Sequence, residues 1–361
     1  MLKSILNRKH ALTNLTDAEF EAMLPELAAE LESHGVLHES YTDAEIRKDW
    51  ALLLRKDTTL NAMTISATEV AGMKVLRKHM RHFHAVRNYK GHSVESFWTQ
   101  PCLEKALRFN RAQHSTPYAS EIIRSLSFAN GLGKVTMYRP LMAKKVVAYL
   151  ATKDAMTDVR VLDACAGWGG RMIGAKSAES PSVAGGLRGE LVSPSLKVHY
   201  TGIDPCAKTY EALRAIRDEL GLTNVTLVNK PAEVALQQSL GTYDIALTSP
   251  PYYNLELYSD EPTQSVATKD GYQTWLNEFL NPVIAGVIQL GVKYSCWSVK
   301  NFKTDKKYDL LDDVIRIHGE HGWRLLDGVV FTMANSRRPG QKAASDQKKT
   351  EECTYVFVHA T

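Results

Sequence analysis

The ten residues from Ile245 to Asn254 read IALTSPPYYN, an aliphatic run that ends in Ser249, Pro250, Pro251 and Tyr252. Two consecutive prolines fix φ and remove two backbone N–H donors. Past the run the chain therefore offers carbonyl acceptors, a serine hydroxyl and an aromatic face. Such a surface suits an exocyclic NH2 on cytosine or adenine: the acceptors take its two N–H bonds, and Tyr252 stacks on a base rotated out of its helix. Tyr253 and Asn254 follow directly and are expected to line the entrance to the base pocket. Taken alone, the tract is also a strand followed by a Pro-Pro turn, so its chemical reading depends on a second group of residues.

That group lies upstream, in VRVLDACAGWGGRMIGA from Val159 to Ala175. A β-branched and aliphatic run ends in Asp163. Ala164, Cys165, Gly167, Trp168 and Gly169 then make a glycine-rich turn, and a helical pattern follows. The glycines allow a tight turn and close backbone approach, and the helix start offers free N–H groups to a ligand. The spacing is not that of the dinucleotide fingerprint, because Arg171, Met172 and Ile173 follow Gly170 where a third glycine is needed. Further on, HYTGIDP from His199 to Pro205 is a second strand ending in Asp204, placed to accept both hydroxyls of a ribose. Trp168 suits either a cofactor contact or an aromatic plug in the turn. Cys165 and Cys206 beside it read as small packing residues.

These residues resemble the amino-group DNA methyltransferases, which use S-adenosylmethionine (SAM) to methylate cytosine N4 or adenine N6. Asp163, Gly167 and Gly169 match the family's D-x-x-x-G-x-G, and Ser249 to Tyr252 match its [DNS]-P-P-[YFW]. Tyr138, Arg139 and Pro140 match its aromatic-x-Pro segment beside the methionine part of the cofactor. The resemblance runs from about Val135 to the C-terminus. It implies an α/β fold with a Rossmann-like, seven-stranded class I methyltransferase sheet, SAM as cofactor and a flipped base in DNA as substrate. It further implies SAM contacts from Tyr138, Pro140, Asp163 to Cys165, Gly167 to Gly169, Asp204 and Pro205. Serine at the first motif position favours cytosine N4 over adenine N6. The glycine motif precedes the catalytic one, whereas many N4-cytosine enzymes run the other way. Nothing in the residues separates a restriction-modification role from a solitary one.

The remainder of the chain must position these groups. The 361 residues, 44% hydrophobic and 23% charged, suit one large domain and a smaller one. No stretch approaches the roughly 18 uninterrupted apolar residues of a membrane span, and MLKSILNRKHALTNL lacks a signal-peptide core, so a cytoplasmic, membrane-free protein is expected. Five dispersed cysteines without C-x-x-C pairs suggest neither a disulfide framework nor a zinc ribbon. His79, His82 and His84 lack a companion carboxylate or cysteine at ligand spacing, and no metal is expected.

The net charge of +4 conceals an asymmetry: residues 1–50 carry 5 basic and 10 acidic side chains, residues 51–155 carry 17 and 6. In the latter, Lys78, His79, Arg81, Arg87, Lys90, Arg108 and Arg111 alternate with Phe83, Tyr89 and Phe109, which suits a phosphate backbone. Arg139 and Lys144 are further candidates for phosphate or carboxylate contacts. Residues 1–134 are thus expected to form a helical, partly basic recognition domain, and 135–361 the catalytic one.

Helical patterns cover 16–33, 42–55, 67–86, 103–112 and 120–128, with Asn130 and Gly131 marking a boundary. Strands are expected at 159–165, 199–204, 225–229, 243–248, 294–299, 324–333 and 354–359, the last two as a closing hairpin. Helices between them fall near 170–178, 207–220, 272–290 and 308–319. The tracts 178–197 and 336–349 read as loops; the first lengthens the usual interval of about twenty residues between the cofactor turn and the ribose acid. RNA is a second substrate reading, because its bases offer the same amine. A binding protein that keeps the fold without catalysis is a third.

Overall fold

The computed structural model describes residues 2–58, 63–66, 68–132, 135–179, 196–238, 240–267, 269–334 and 352–360. The proposed loop at 336–349 and nearly all of that at 178–197 lie outside the described residues. By internal contacts the chain divides into two units. One comprises 1–41, 80–136 and 254–260; the other comprises 42–79, 137–253 and 261–361. Two segments thus cross the single cut expected at residue 134: 42–79 joins the sheet-bearing unit, and 254–260 joins the helical one.

The principal helices, in chain order, are α1 (Asp17–His34), α2 (Asp43–Arg55), α3 (Gln100–Ala112), α4 (Ala119–Ala129), α5 (Pro140–Lys153), α6 (Gly170–Ser177), α7 (Ala207–Glu219) and α8 (Leu310–Glu320). In the helical unit α1 starts at a capping box in which Thr16 and Glu19 satisfy each other's backbone N–H groups. Its apolar face, Phe20, Leu24, Leu27 and Leu31, is buried with Leu103 and Leu107 of α3 and Ile122 and Leu126 of α4. The charged faces also meet. Arg108 forms a two-pronged pair with Glu21, at 3.1 and 2.8 Å. Arg111 bonds Asp17 and the carbonyls of Leu12 and Leu15 and lies over the Phe20 ring. His84 is driven by burial, with His38 adding to the effect, down to about 4 and is neutral. The acidic N-terminal segment therefore neutralises much of the basic one, and this unit holds 11 Lys or Arg against 12 Asp or Glu.

The second unit is built on an eight-stranded sheet. Its strands are β1 (Thr64–Ser66), β2 (Asp158–Asp163), β3 (Lys197–Ile203), β4 (Val225–Val228), β5 (Ile245–Thr248), β6 (Tyr294–Val299), β7 (Trp323–Ala334) and β8 (Glu352–His359). They lie in the order β1-β7-β8-β6-β5-β2-β3-β4. From β4 to β6 the pairings are parallel; β8 is antiparallel to both its neighbours, and β1 is parallel to β7. This is a Rossmann-like α/β sheet, with the seven expected strands and β1 added at one edge. The central strands β5 and β6 are buried along their whole length, as strands covered on both faces must be.

Besides several short pieces, two of the elements named above were not anticipated. β1 has only three residues and too little pattern to show as a strand. α5 has ten of its fourteen residues buried, so it lacks the polar face that reveals a helix. The pattern over 67–86 resolves into a short helix, Met73–His79, and a 3-10 turn, Arg81–Ala85. Lys78 and His79 bond Glu219 at the end of α7, which occupies side chains expected to meet a polyanion.

Lys144 on α5 is likewise spent internally. It is 1% exposed, and its Nζ donates to the carbonyls of Leu53, Leu54 and Lys56 at 3.1, 2.7 and 2.9 Å, closing the C-terminal end of α2. Burial lowers its ammonium to about 8. It is a helix cap, and not the phosphate contact its sequence position suggested. Lys144→Met should cost about 2–4 kcal/mol, since buried carbonyls lose their donor. Urea unfolding should show a lower midpoint at unchanged slope. A loss below about 0.5 kcal/mol, within the range of ordinary surface substitutions, would show that the cap is not needed.

Candidate functional site

β2 and β5 are neighbours, with Val161 opposite Ile245 and Leu162 opposite Ala246, and both run in the same direction. Their carboxyl ends, which carry the glycine turn and Ser249, therefore lie side by side. β3 flanks β2 on the other side, Asp163 pairing with Gly202, and brings Asp204 to the same edge. A hydrogen bond joins the two motifs directly: Cys165 N–H donates to Thr248 Oγ1 at 3.0 Å.

The turn from Ala164 to Gly169 is held from beneath by Asp163, whose side chain is fully buried. One carboxylate oxygen accepts from Arg171 Nε at 2.8 Å and from Tyr200 OH at 2.7 Å; the other accepts from Cys165 N–H at 3.3 Å. Arg171 also donates to the Cys165 carbonyl. Burial opposes the Arg171 charge, and Asp163 more than offsets it, so the guanidinium stays protonated. Burial and the same carboxylate push the Tyr200 hydroxyl well above its ordinary range. Asp163 thus works inside the turn. Ala164 and Trp168 are buried in it, Trp168 as a packed ring, while Cys165 is half-buried.

Gly169 sits in the left-handed region, φ +80°, where a side chain would be strained, and caps α6. Gly170 and Gly174, one turn apart on α6, serve close approach: a Cβ at either would fall on the carbonyl of Tyr138 or of Pro140. The Tyr138–Pro140 segment consequently lies against α6, with Pro140 buried at the first turn of α5 and Arg139 as its N-cap. Tyr138 places its ring over the Arg171 guanidinium at 5.1 Å, and its hydroxyl meets Thr354 on β8 and Ser298 on β6. Burial, with the charge of Arg77 adding to it, lowers the Arg139 guanidinium.

Asp204 is partly exposed, and each of its oxygens takes one backbone donor: Gly167 N–H at 2.9 Å and Cys206 N–H at 3.0 Å. A carboxylate oxygen has room for more, so both can still accept from a vicinal diol. Asn229 fixes the following bend by donating to the carbonyls of Asp204 and Pro205, both at 3.0 Å.

Past Thr248, Ser249 and Pro251 are half-buried while Pro250 and Tyr252 are buried. The Tyr252 ring packs on Phe302 at 5.7 Å. Tyr253 is half-buried, and its ring meets those of Tyr272, Trp275 and Tyr308. Asn254 opens the short segment that belongs to the helical unit. Sequence reasoning missed Thr248, Arg171, Tyr200 and Asn229. Each is a common polar residue whose partner is distant in sequence or hidden by local spacing, so no motif marks it.

Burial pushes the Asp204 carboxyl up to about 7, against the pull of the Cys206 and Gly167 donors and with the Asp163 charge adding to the rise. The folded state then keeps a proton that the unfolded chain releases near its ordinary value of 3.8, so this group costs stability as pH rises through that interval. Asp204→Asn cannot ionise, and its Tm relative to the parent chain should climb between pH 5 and pH 8. A flat difference across that range would mean that Asp204 titrates alike in the folded and unfolded chain.

No protein-family model and no curated protein sequence matches this chain. Similar solved structures include a SAM-dependent methyltransferase from Agrobacterium tumefaciens at 12% identity and TM-score 0.37, covering 60% of this chain and 62% of that one. A magnesium protoporphyrin IX methyltransferase from Synechocystis with bound S-adenosylhomocysteine has 12% identity and TM-score 0.38, covering 64% and 92%. A precorrin-6y C5,15-methyltransferase from Geobacter metallireducens has 14% identity and TM-score 0.35, covering 60% and 88%. Likeness this remote carries no argument about chemistry, which rests on the site itself.

Proposed function

We propose that this chain is a methyltransferase that moves a methyl group from SAM to the exocyclic amine of a flipped base in DNA, with cytosine N4 as the favoured acceptor and adenine N6 as the alternative. The observation that carries this reading is the Cys165–Thr248 hydrogen bond, which ties the glycine turn to the strand bearing Ser-Pro-Pro-Tyr. An amine held after β5 and a cofactor held after β2 then share one rim of the sheet, where ligands of such sheets bind.

The residues present fit SAM. Asp204 keeps acceptor capacity for the ribose hydroxyls, and the glycine turn leaves open the space above Gly167, where a Cβ would meet only the Cys165 carbonyl at 3.8 Å. When bound, SAM supplies an electrophilic methyl on a sulfonium, a leaving group that departs as a neutral thioether.

The protein's part is to make a poor nucleophile a better one. The lone pair of an aromatic amine is delocalised into its ring. Hydrogen bonds from NH2 to Ser249 Oγ and the Pro250 carbonyl favour a pyramidal nitrogen whose lone pair points at the methyl carbon. As the N–C bond forms and the S–C bond breaks, positive charge develops on nitrogen beside these two acceptors. The surplus proton then passes to water, so no strong base is required. Positioning and matched acceptors supply most of the acceleration.

RNA is the second reading, because its unpaired bases offer the same exocyclic amine; the helical unit, with acidic residues slightly outnumbering basic ones, is not a strongly cationic grip on either nucleic acid. Incubation with labelled SAM and either DNA or RNA, then digestion to nucleosides, should yield N4-methylcytosine from DNA. Label on a ring carbon or on protein would overturn the amine mechanism. Ser249→Ala should lower turnover by roughly 10^2-fold or more, the scale of losing one matched hydrogen-bonding group, with SAM affinity within twofold of the parent chain. Unchanged turnover would remove Ser249 from the mechanism.

A further inference from the structure

The chain immediately after the Ser-Pro-Pro-Tyr motif has an unusual backbone. Tyr253 is a bulky residue at φ +44°, in the left-handed region that favours glycine. Such a conformation persists only where the surroundings impose it, and here they are aromatic. The Tyr253 ring meets Tyr272 at 5.5 Å, Tyr308 at 5.6 Å and Trp275 at 5.9 Å. Tyr308 in turn stacks on Phe302 at 4.9 Å and 15°, and Phe302 packs on Tyr252. Because Tyr252 and Tyr253 are consecutive, the contacts close a circuit: Tyr252, Phe302, Tyr308, Tyr253 and back through the peptide bond.

The members of the circuit have further partners. Phe302 and Tyr308 belong to a two-stranded ladder, Lys303 opposite Lys307 and Phe302 opposite Tyr308. Tyr308 OH donates to Asp305 at 3.0 Å, and Tyr272 OH donates to Asp313 at 2.9 Å. Trp275 is fully buried, donates to Ser265 and is followed directly by a π-helical turn, Leu276–Leu280, a feature often found at functional sites.

We infer that Tyr253 is a positioning residue: clamped by Tyr272, Trp275 and Tyr308, it forces the turn that fixes the Tyr252 ring against Phe302, and so sets the plane on which the target base stacks. The inference rests on the proposed amine methylation for its catalytic meaning, whereas the clamp itself is a property of the protein alone. An effect on turnover is expected because reacting groups tolerate little displacement.

Two measurements separate these levels. In the unliganded chain, amide hydrogen exchange at Tyr252 and Tyr253 should be at least roughly tenfold faster in Tyr253→Asn and Phe302→Leu, with exchange at Val161 and Leu162 on β2 unchanged. Asparagine tolerates the left-handed backbone but supplies no ring, so equal exchange in Tyr253→Asn would overturn the clamp whatever the substrate. With SAM and the nucleic acid found to be methylated, Tyr253→Asn should lower kcat by roughly 10- to 100-fold while SAM affinity stays within twofold, and Tyr253→Phe should restore turnover. Full turnover in Tyr253→Asn, or parallel loss of SAM binding and turnover, would overturn the positioning role. A parent chain that shows clamped exchange but binds no SAM would instead remove the methyltransferase reading.

Discussion

The site depends on one buried carboxylate. Asp163 ends β2 and receives Arg171, Tyr200 and the Cys165 N–H, so the glycine turn is tied at once to the helix that follows it, to the adjacent strand β3 and to its own start. A buried ion pair adds little net stability, but removing one partner strands a charge and typically costs about 3–5 kcal/mol. Here the pair fixes geometry. With Asp163 in place, Cys165 N–H faces Thr248 and Gly167 N–H faces Asp204, and the ends of β2, β3 and β5 become one rim.

The same economy of charge runs through the rest of the molecule. Side chains that look available in the sequence are mostly committed once the chain folds. Arg108 and Arg111 serve the acidic helix Asp17–His34, Lys78 and His79 serve Glu219, and Lys144 closes the end of Asp43–Arg55. The basic excess over residues 51–155 is thereby divided between two units, and the helical one carries a net formal charge of −1.

At the end of the Ser-Pro-Pro-Tyr motif, aromatic packing takes the part that charge plays at the turn. Tyr252 lies against Phe302, and Tyr253 is turned away into its own cluster. Two adjacent tyrosines thus face different tasks, one presenting a surface beside the motif and the other holding the backbone that presents it. Ring contacts suit this purpose because they are broad, stiff and indifferent to pH.

The sequence by itself determined the sheet and both motifs. All seven expected strands are present, because buried parallel strands are continuous apolar runs and the turns between them carry glycine, proline and capping signals. Asp163, Asp204 and Ser249 were legible because each closes such a run. Tertiary structure alone decided what lies across from them. Tyr200 reaches Asp163 from β3, and Thr248 meets the Cys165 N–H across 83 positions. α5 was hidden because a helix buried on nearly every side has no polar stripe to reveal its period. The roles of Lys144, Arg108 and Tyr253 were hidden for a related reason. Residue type states what a side chain can bond, but only the folded chain brings the partner to it.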